Sequence, residues 1–600
     1  MFYIFLLISC LTWLCASTVT LPIVDEEVMK PQDGQICGFG DMNKDRYTDL
    51  IVRNHFEITI MLQTENGQFN PSQFKPIPMG QAGHTVCAVA DFNGDAMPDI
   101  MVTYDSPDGH NSMKSIIFFN EGTSFREQIL EMNFVQPPSV VDINGDGIAD
   151  LVGFKPNSDN QFVCLRGDKN HSMVACEHNT FPGNETIKDP YLKFSHIFAD
   201  ITGDLSSEII FALTTEANGL RFEVWQQTED GIWNHNASLI PDIPSDGLNT
   251  ENLGGGTVAD FDGDGLIDIL VPVCRDKECH YVEKILIFST KSGWVYIQLD
   301  LKDSQLVVDQ DLLIGGTVFR VGDFTLDGYP DLIAVASKAN GLVPVIFENV
   351  EYSGNTNFSR KFEMMVSPKT PQLVIPSEMY NSVVRMATFF DLKEDGNLDI
   401  LVEYKVETSV RYDFIKCDDK GDTTFLKAQI FSNVCTRHCK NSTPSEIGSG
   451  IPWHGACAAF TMPDTSGNTR RSLQCQLPQT SQRALHSPYL LFGLGRSPNF
   501  IDEVRLGSPR VHDSRGNQQS ALKQIVPNSR IFVVPPEGDG IHWQSRLYIT
   551  PSQLIIQSVA VLISVCIILI VLIFVLHYRE RQQDRRERQA QLHRFHFDAM

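Results

Sequence analysis

The chain has 600 residues, of which 42% are hydrophobic, and it carries a formal net charge of −26 at pH 7. Such an acidic surface disfavours binding to polyanions, so we exclude nucleic acid as a partner. The length exceeds that of one ordinary domain, although a repeat architecture can use about four hundred residues as a single unit.

The N-terminus predicts a secretory signal peptide over residues 1–17. Phe2 to Ala16 form an apolar stretch that ends in small residues, as expected before a cleavage site. The usual basic residues at the start are missing, so the alternatives are an uncleaved anchor or a core strand. A signal peptide would place the rest of the chain in an oxidising compartment outside the cytosol.

A nine-residue pattern recurs seven times in the following chain. Its clearest copy is DFDGDGLID at residues 260–268, where carboxylates occupy loop positions 1, 3, 5 and 9 and Gly265 occupies position 6. Alternating oxygen ligands around a tight turn are typical of a calcium loop. The other copies are DMNKDRYTD from Asp41, DFNGDAMPD from Asp91, DINGDGIAD from Asp142, DITGDLSSE from Asp200, DFTLDGYPD from Asp323 and DLKEDGNLD from Asp391. Short apolar runs flank each copy, so the loops join β-strands and not EF-hand helices.

Calcium with a structural role is the cofactor that these loops predict, because protein oxygens fill the loops and leave no place for a substrate. Four loops have Asp or Asn at all four positions and are the predicted strong sites: Asp41, Asn43, Asp45 and Asp49; Asp91, Asn93, Asp95 and Asp99; Asp142, Asn144, Asp146 and Asp150; and Asp260, Asp262, Asp264 and Asp268. Asp323, Asp327 and Asp331 are predicted to form a weaker site, with Thr325 at position 3. Thr202 and Glu208 argue against a cation in the Asp200 loop, as does Lys393 in the Asp391 loop. The alternative is that these side chains only cap turns.

The spacing of the loops predicts a β-propeller. Successive copies start between 50 residues (41 to 91) and 68 residues (323 to 391) apart, which is room for about four short strands. One such sheet cannot bury both of its faces, whereas radial stacking buries them and leaves only short edges. We therefore expect an all-β fold in which residues 18–430 form a seven-bladed propeller.

Sequons and cysteines both favour an extracellular location. Five Asn-X-Ser/Thr sequons are predicted glycosylation sites: Asn170, Asn184, Asn236, Asn357 and Asn441. Outside the signal peptide and the membrane segment lie eleven of the fourteen cysteines, an odd number that leaves at least one thiol free or paired between chains. Two pairs bracket hairpins and are predicted disulfides: Cys274 with Cys279, and Cys164 with Cys176. Cys435, His438 and Cys439 have a spacing that zinc could use, but a disulfide is favoured in an oxidising compartment.

The tripeptide Arg166-Gly167-Asp168 is the motif that integrins recognise. It aligns with polar turns in the other repeats, which predicts that it is exposed. The same alignment offers a simpler explanation, because Gly-Asp is common in turns. A three-residue match in a long chain is also frequent by chance.

The C-terminal third lacks the loop pattern. Residues 431–545 are rich in Ser, Pro and Gly, with short apolar runs such as RIFVV, and predict a small β domain with disulfides. Residues 554–576 are apolar, uncharged and long enough to span a bilayer, a buried core helix being the alternative. Six arginines follow in the tail, residues 577–600, which predicts a type I single-pass protein of the plasma membrane with its N-terminus outside.

The repeats resemble the FG-GAP repeats of the integrin α-subunit head, which form a seven-bladed propeller with calcium in some blade hairpins. The chain differs from an integrin after its membrane segment, where HYRERQ replaces a GFFKR-type motif. Signal peptide, seven repeats, small extra domain, one span and short tail together resemble the T-cell immunomodulatory protein family, also called linkin. That resemblance implies a role in cell adhesion and tissue integrity, with tubulin and RuvB-like ATPases as cytoplasmic partners.

We therefore expect a non-enzymatic membrane glycoprotein that recognises an extracellular protein ligand or a second copy of itself. FG-GAP repeats also occur beside a phospholipase domain in the glycosylphosphatidylinositol-specific family, but this sequence contains no HExxH, GxSxG or P-loop motif. The alternatives are a cargo receptor or chaperone of the secretory pathway, and a shed form that acts on immune cells.

Overall fold

The computed structural model describes residues 32–549 and 553–597, apart from positions 55, 80–83, 107–111, 157–159, 170–171, 245–248, 278, 300, 302–304, 308–316, 339–340, 355–357, 366–381, 418–422, 437–448, 464–466, 479–484, 497–499, 510–518 and 537–542. Outside the described residues lie the predicted signal peptide, the sequons at Asn170, Asn357 and Asn441, and also His438 and Cys439. Strands and one long helix make up the regular structure of the described part, with two short 3₁₀ turns. The predicted all-β class is confirmed.

Each of the seven nine-residue loops joins the first two strands of an antiparallel unit, and we number loops and units 1 to 7 in chain order. The N-terminal strand β1 spans Gln32–Asp33. Unit 1 contains β2 (Gln35–Gly40), β3 (Asp49–Arg53), β4 (Glu57–Gln63), β5 (Phe69–Pro71) and β6 (Ile77–Pro78); unit 2 contains β7 (Thr85–Ala90), β8 (Asp99–Asp105), β9 (Met113–Asn120) and β10 (Phe125–Phe134). Unit 3 contains β11 (Ser139–Val141), β12 (Asp150–Phe154), β13 (Phe162–Asp168) and β14 (Ser172–Ala175); unit 4 contains β15 (Ile197–Ala199), β16 (Glu208–Thr214), β17 (Leu220–Gln227) and β18 (Trp233–His235).

Units 5 to 7 follow the same order of strands. Unit 5 contains β19 (Thr257–Ala259), β20 (Asp268–Cys274), β21 (Tyr281–Ser289), β22 (Gly293–Gln298) and β23 (Gln305–Val307); unit 6 contains β24 (Arg320–Gly322), β25 (Asp331–Lys338), β26 (Gly341–Glu351) and β27 (Arg360–Met364); unit 7 contains β28 (Val383–Phe390), β29 (Asp399–Val406) and β30 (Ser409–Ile415). Because β23 pairs with both β21 and β25, units 5 and 6 share one nine-stranded sheet. The number of separate blades therefore stays a prediction.

Apolar clusters join each unit to the next, and a further cluster joins unit 7 back to unit 1. In that closing cluster, Phe39 of unit 1 packs edge-on against Phe390 of unit 7, with ring centroids 5.4 Å apart. β1 pairs antiparallel with β30, so the N-terminus supplies an outer strand for unit 7. Apolar side chains are thus buried between neighbouring units, and unit 7 packs back against unit 1. This is the propeller-like packing that the repeat predicts.

The C-terminal sandwich is a second β assembly, made of two four-stranded sheets in the orders β34-β31-β37-β38 and β33-β32-β35-β36. Its strands are β31 (Thr424–Ile430), β32 (Cys457–Pro463), β33 (Thr469–Cys475), β34 (Leu490–Gly495), β35 (Ile501–Gly507), β36 (Gln519–Ile525), β37 (Ser529–Val534) and β38 (Gln544–Ile549). β31 pairs with β34 and β37 and buries Leu426, Ala428 and Ile430 in the sandwich core. The sandwich thus begins near Thr424, before the expected boundary at residue 430.

The helix α1 spans Gln553–Phe597 and forms a compact unit of its own with the residues around it. Within Ser558–Gln591 the helix contains an apolar stretch long enough to cross a membrane, with a mean hydropathy of 3.6 over an 18-residue window. The helix continues through the arginine-rich residues that follow the predicted span, so the tail extends the same helix.

Candidate functional site

Loop 5 shows how the chain gathers carboxylates. Asp260 follows β19 directly and accepts hydrogen bonds from the backbone N–H groups of Asp264 and Gly265, at 3.1 and 3.0 Å. Asp268 begins β20 and accepts a bond of 2.9 Å from Phe261 N–H. Gly265 has a φ of 87°, a backbone conformation that residues with a side chain rarely adopt. The turn therefore holds both carboxylates inside the loop, where they are fully buried.

In the described part of the chain, the carboxylates of loop 5 converge without a cationic side chain among them. Asp260, Asp262 and Asp268 place carboxylate oxygens within 4.8 Å of one another. Asp268 Oδ1 is buried and accepts no hydrogen bond from any described residue. Burial, and then repulsion from Asp264, raises the pKa of Asp262 to about 6. A divalent cation with oxygen ligands would satisfy the orphaned oxygen and the local excess of negative charge, so loop 5 fits calcium.

Loops 1, 2 and 3 keep this backbone geometry but carry asparagine at position 3. In each loop the asparagine Nδ2 donates to an oxygen of the position-5 aspartate: Asn43 to Asp45 at 2.8 Å, Asn93 to Asp95 at 3.2 Å, and Asn144 to Asp146 at 2.8 Å. The aspartates at positions 1 and 9 are buried in all three loops: Asp41 and Asp49, Asp91 and Asp99, Asp142 and Asp150. Turning the amide by 180° would present its oxygen to a cation. These loops fit calcium too. In them the amide at position 3 donates to the position-5 aspartate, whereas in loop 5 both positions carry a carboxylate.

Loop 4 brings together a carboxylate group that the sequence argued against. Asp200, Asp204 and Glu208 have carboxylate oxygens within 4.8 Å of one another. Glu208 accepts from Ile201 N–H at 2.9 Å, the bond that aspartate makes at position 9 of loops 1, 2, 3 and 5. Burial, followed by repulsion from Asp200, raises the pKa of Glu208 to about 8. The longer glutamate side chain therefore takes the place of aspartate, and loop 4 gathers three carboxylates as loop 5 does.

Loop 6 has neighbours that reduce its demand for a cation. Thr325 Oγ1 donates to Asp331 Oδ2 at 3.1 Å, so its hydroxyl satisfies a carboxylate oxygen in the loop. Burial raises the pKa of Asp327, and the nearby Arg360 and Arg470 oppose that rise. This environment agrees with the weaker binding that the sequence predicts for loop 6.

Loop 7 contains a cation from elsewhere in the chain. Lys427, in β31 of the C-terminal sandwich, places Nζ 2.9 Å from Asp391 Oδ2 and also contacts Glu394. The lysine side chain is 2% exposed, and its ammonium lies 3.6 Å from the ring centroid of Tyr489. Arg530 pairs with Glu394 at 3.0 Å. Lys393, which the sequence placed at the ligand position, is exposed.

The C-terminal sandwich and the segments between its strands contact all seven loops, which sequence reasoning missed. Three donors bind the position-1 aspartates directly: Trp453 Nε1 to Asp142 at 2.8 Å, Leu473 N–H to Asp260 at 3.1 Å, and Gly493 N–H to Asp323 at 2.8 Å. Three further hydrogen bonds reach loops 1, 2 and 4: Arg530 Nη2 donates to the carbonyl of Arg46, Thr436 Oγ1 to that of Gly94, and Ser207 Oγ to that of Gly455. The loop end of the units is therefore an interface within the chain. No repeat signal marks these partners, because they lie outside the repeats.

The predicted exposed turn at Arg166-Gly167-Asp168 is wrong. These residues end strand β13 and pair with Val174, Met173 and Ser172 of β14. Gly167 N–H donates to Asp150 Oδ1 at 2.8 Å, and a Cβ at Gly167 would lie 2.6 Å from Ala149 O. The tripeptide is therefore part of the framework of loop 3.

The remaining predicted sites that the structure describes are cysteines and two of the sequon asparagines. Both predicted disulfides, Cys164–Cys176 and Cys274–Cys279, are present, and two more bonds join Cys37 to Cys87 and Cys457 to Cys475. Cys435 is also disulfide-bonded, as the argument against zinc expected. Asn184 is half-buried in a short 3₁₀ turn, and Asn236 Nδ2 donates to Gln226 at 2.7 Å. Glycosylation stays a prediction.

Comparison with known proteins gives relatives that match 94% of this chain and family models that match two of its segments. One family model, an FG-GAP-like repeat, matches residues 41–102, and another, described as "ITFG1, C2 domain", matches residues 448–548. The protein linkin of Caenorhabditis elegans is 40% identical, covering 94% of this chain and 95% of its own. The T-cell immunomodulatory protein of Mus musculus is 30% identical, covering 94% and 92%. The β-propeller domain of the Trilobed protease from Pyrococcus furiosus superposes with a TM-score of 0.33 and 10% identity, over 65% of this chain and 99% of that one.

Proposed function

The chain belongs to the family of linkin and T-cell immunomodulatory proteins, and from this premise we propose that it is a non-enzymatic, membrane-anchored protein of cell adhesion that recognises an extracellular protein. The observation that carries the proposal is the helix α1, which follows a large β structure and is apolar enough to anchor it. We place the N-terminus outside the cell and the arginine-rich end of the helix in the cytoplasm, following the charge asymmetry of the sequence.

Calcium has a structural role in this proposal. Loops 1, 2, 3 and 5 would hold it through their aspartates and asparagines, and the ion would neutralise carboxylates that the fold buries together. The residues themselves fix the loop backbone, because the position-1 carboxylates and the position-9 carboxylates accept N–H bonds of the turn. The loop ends would be rigid when occupied, which gives the recognition surface a constant shape.

We propose that recognition uses the end of the units opposite the loops, because the C-terminal sandwich contacts the loop ends. The turns between the second and third strands lie at that opposite end. Phe56, in such a turn of unit 1, is 62% exposed, and Val383, at the start of β28, is 53% exposed. Exposed apolar side chains on a rigid frame are suited to binding another protein. Tubulin and RuvB-like ATPases stay predictions from the family resemblance.

The test is aggregation of non-adherent cells that display the full-length protein, mixed with cells that do not, with and without a calcium chelator. Calcium-dependent clusters of displaying cells alone would support binding between copies, and mixed clusters would support a ligand on the other cell. Phe56→Asp should weaken clustering, whereas Ile129→Asp, on the outer strand β10 with 58% exposure, is the matched control. Absence of clusters despite normal surface display would contradict adhesion and favour the cargo-receptor alternative.

A further inference from the structure

Loop 7 differs from the other loops because its charges are balanced by the protein itself. Asp391 and Glu394 are both buried, and two cationic side chains face them, Lys427 and Arg530. In loop 5, by contrast, three carboxylates converge and one buried oxygen lacks a donor among the described residues. Both side chains that balance loop 7 belong to the C-terminal sandwich, from β31 and β37.

We propose that Lys427 is the permanent cation of loop 7, and that this ion pair anchors the C-terminal sandwich to the loop ends without calcium. The inference rests on the proposed function in one respect, namely that loops such as loop 5 hold calcium. Removal of calcium would loosen those loops, while loop 7 would keep both its conformation and its contact with the sandwich.

The loop backbone supports this role for the ammonium. Asp395 and Gly396 donate their N–H groups to Asp391 at 3.0 and 3.1 Å, just as Asp264 and Gly265 donate to Asp260. The position-1 carboxylates therefore share two loop donors, and Asp260 accepts a third bond from Gly263 N–H at 2.8 Å. In loop 7 the remaining interaction of Asp391 Oδ2 goes to a compact ammonium, which is a point charge on a long stem.

Surrounding contacts leave the ammonium little freedom to move. Tyr489 covers it with its ring, and the Tyr489 hydroxyl accepts a bond of 3.0 Å from Asp391 N–H. Lys427 lies in the strand β31, which pairs on both sides, with β34 and with β37. The anchor is thus held by the sandwich sheet on one side and by the loop on the other.

Hydrogen exchange of the full-length protein in detergent, with 1 mM calcium or with EGTA, tests the proposal. Peptides from loop 5 and loop 7 are compared in the same sample. Chelation should raise exchange of the loop 5 amides by about tenfold, since ligand release weakens local stability. Loop 7 amides should exchange at the same rate in both conditions. A parallel rise in both loops would overturn the proposal.

Lys427→Met removes the charge but keeps a long apolar stem, and Lys291→Met, an exposed lysine beside loop 5, is the matched control. In EGTA, Lys427→Met should raise exchange in loop 7 by about a hundredfold, because a buried carboxylate pair loses its partner. Exchange no faster than in Lys291→Met would overturn the anchor. The comparison of these two variants tests the anchor even if EGTA does not change exchange in loop 5. An unchanged exchange rate in loop 5 would count against calcium in the proposed function.

If Lys427→Met does not fold, Asp391→Asn combined with Lys427→Met removes both charges of the pair. The amide oxygen introduced at position 391 can keep one of the two loop N–H bonds, which go to different oxygens of Asp391, and Glu394 keeps its pair with Arg530, so no buried charge is left without a partner. Loop 7 of the double variant should therefore be protected with and without calcium. Loop 7 exchange in the double variant that is about a hundredfold faster than in Lys291→Met, with or without calcium, would show that the balance of charges does not hold the loop, and would overturn the proposal.

Discussion

Loop 5 and loop 7 share one sequence pattern and one backbone, yet they differ in their source of positive charge. Loop 5 holds three carboxylates together with an orphaned oxygen, whereas loop 7 receives the ammonium of Lys427. The nine-residue pattern therefore specifies a turn that buries carboxylates. What neutralises them is decided by residues that pack on the loop from another part of the chain.

Removal of calcium should have the largest effect on stability, because it acts on the loops that hold the ion and not on loop 7. At about 1 mM calcium and a dissociation constant of about 10⁻⁴ M, each occupied loop contributes about 1.4 kcal/mol to the free energy of unfolding, or roughly 6 kcal/mol for loops 1, 2, 3 and 5. Thermal unfolding of the full-length protein in detergent, with calcium or with EGTA, measures it. An unchanged midpoint would show that these loops do not bind the ion.

The same measurement should depend on pH. Burial raises the pKa of Asp49 and of Asp91 to about 7, and that of Asp262 to about 6. These groups keep protons in the folded state that the unfolded chain loses near pH 4, so stability without calcium should fall as the pH rises from about 4 to 7. Calcium needs the ionised groups, so its stabilising effect should be larger at pH 8 than at pH 5.5. An effect of equal size at both values would contradict this.

Lys427→Met comes next in size. It leaves Asp391 and Glu394 buried with one cation fewer, and breaking a buried ion pair costs about 3–5 kcal/mol of unfolding free energy. Lys291→Met, at an exposed position beside loop 5, should change stability by less than about 0.5 kcal/mol. Chemical denaturation of both variants in EGTA gives the comparison. Equal stability of the two would remove the distinction between the loops.

Trp453→Phe tests an intermediate case, in which the sandwich donates to loop 3 without a charge. The variant loses the indole N–H bond to Asp142 Oδ2, and a bond to a charged group contributes about 1.5–3 kcal/mol. Trp294→Phe, which loses a bond of 2.8 Å to the carbonyl of Pro241 away from the loops, is the control. Only Trp453→Phe should raise hydrogen exchange in loop 3, and a similar rise in the control would refute the link.

The repeat and its loops could be predicted from the sequence because they are local. Spacing, flanking apolar runs and the aspartates of the pattern predict the strands and the loops that join them. Lys427 could not be predicted, since it lies 36 residues from Asp391 in a strand of another sheet. The early start of the sandwich near Thr424 and the pairing of β1 with β30 could not be predicted either, because both depend on pairing between strands that are far apart in the sequence. Arg166-Gly167-Asp168 was misassigned because turn-forming residues also end strands.

The smallest effect concerns a single carboxylate at position 9. Asp268→Asn should remove the calcium of loop 5, because one charge and one oxygen ligand are lost at the orphaned site. Equilibrium dialysis with radioactive calcium should then count one ion fewer per chain, and the calcium-dependent part of stability should fall by about 1.4 kcal/mol. Asp399→Asn, the same position in loop 7, should leave the count unchanged, because Lys427 already supplies the charge there. If Asp399→Asn lost an ion and Asp268→Asn did not, the roles assigned to the two loops would be reversed.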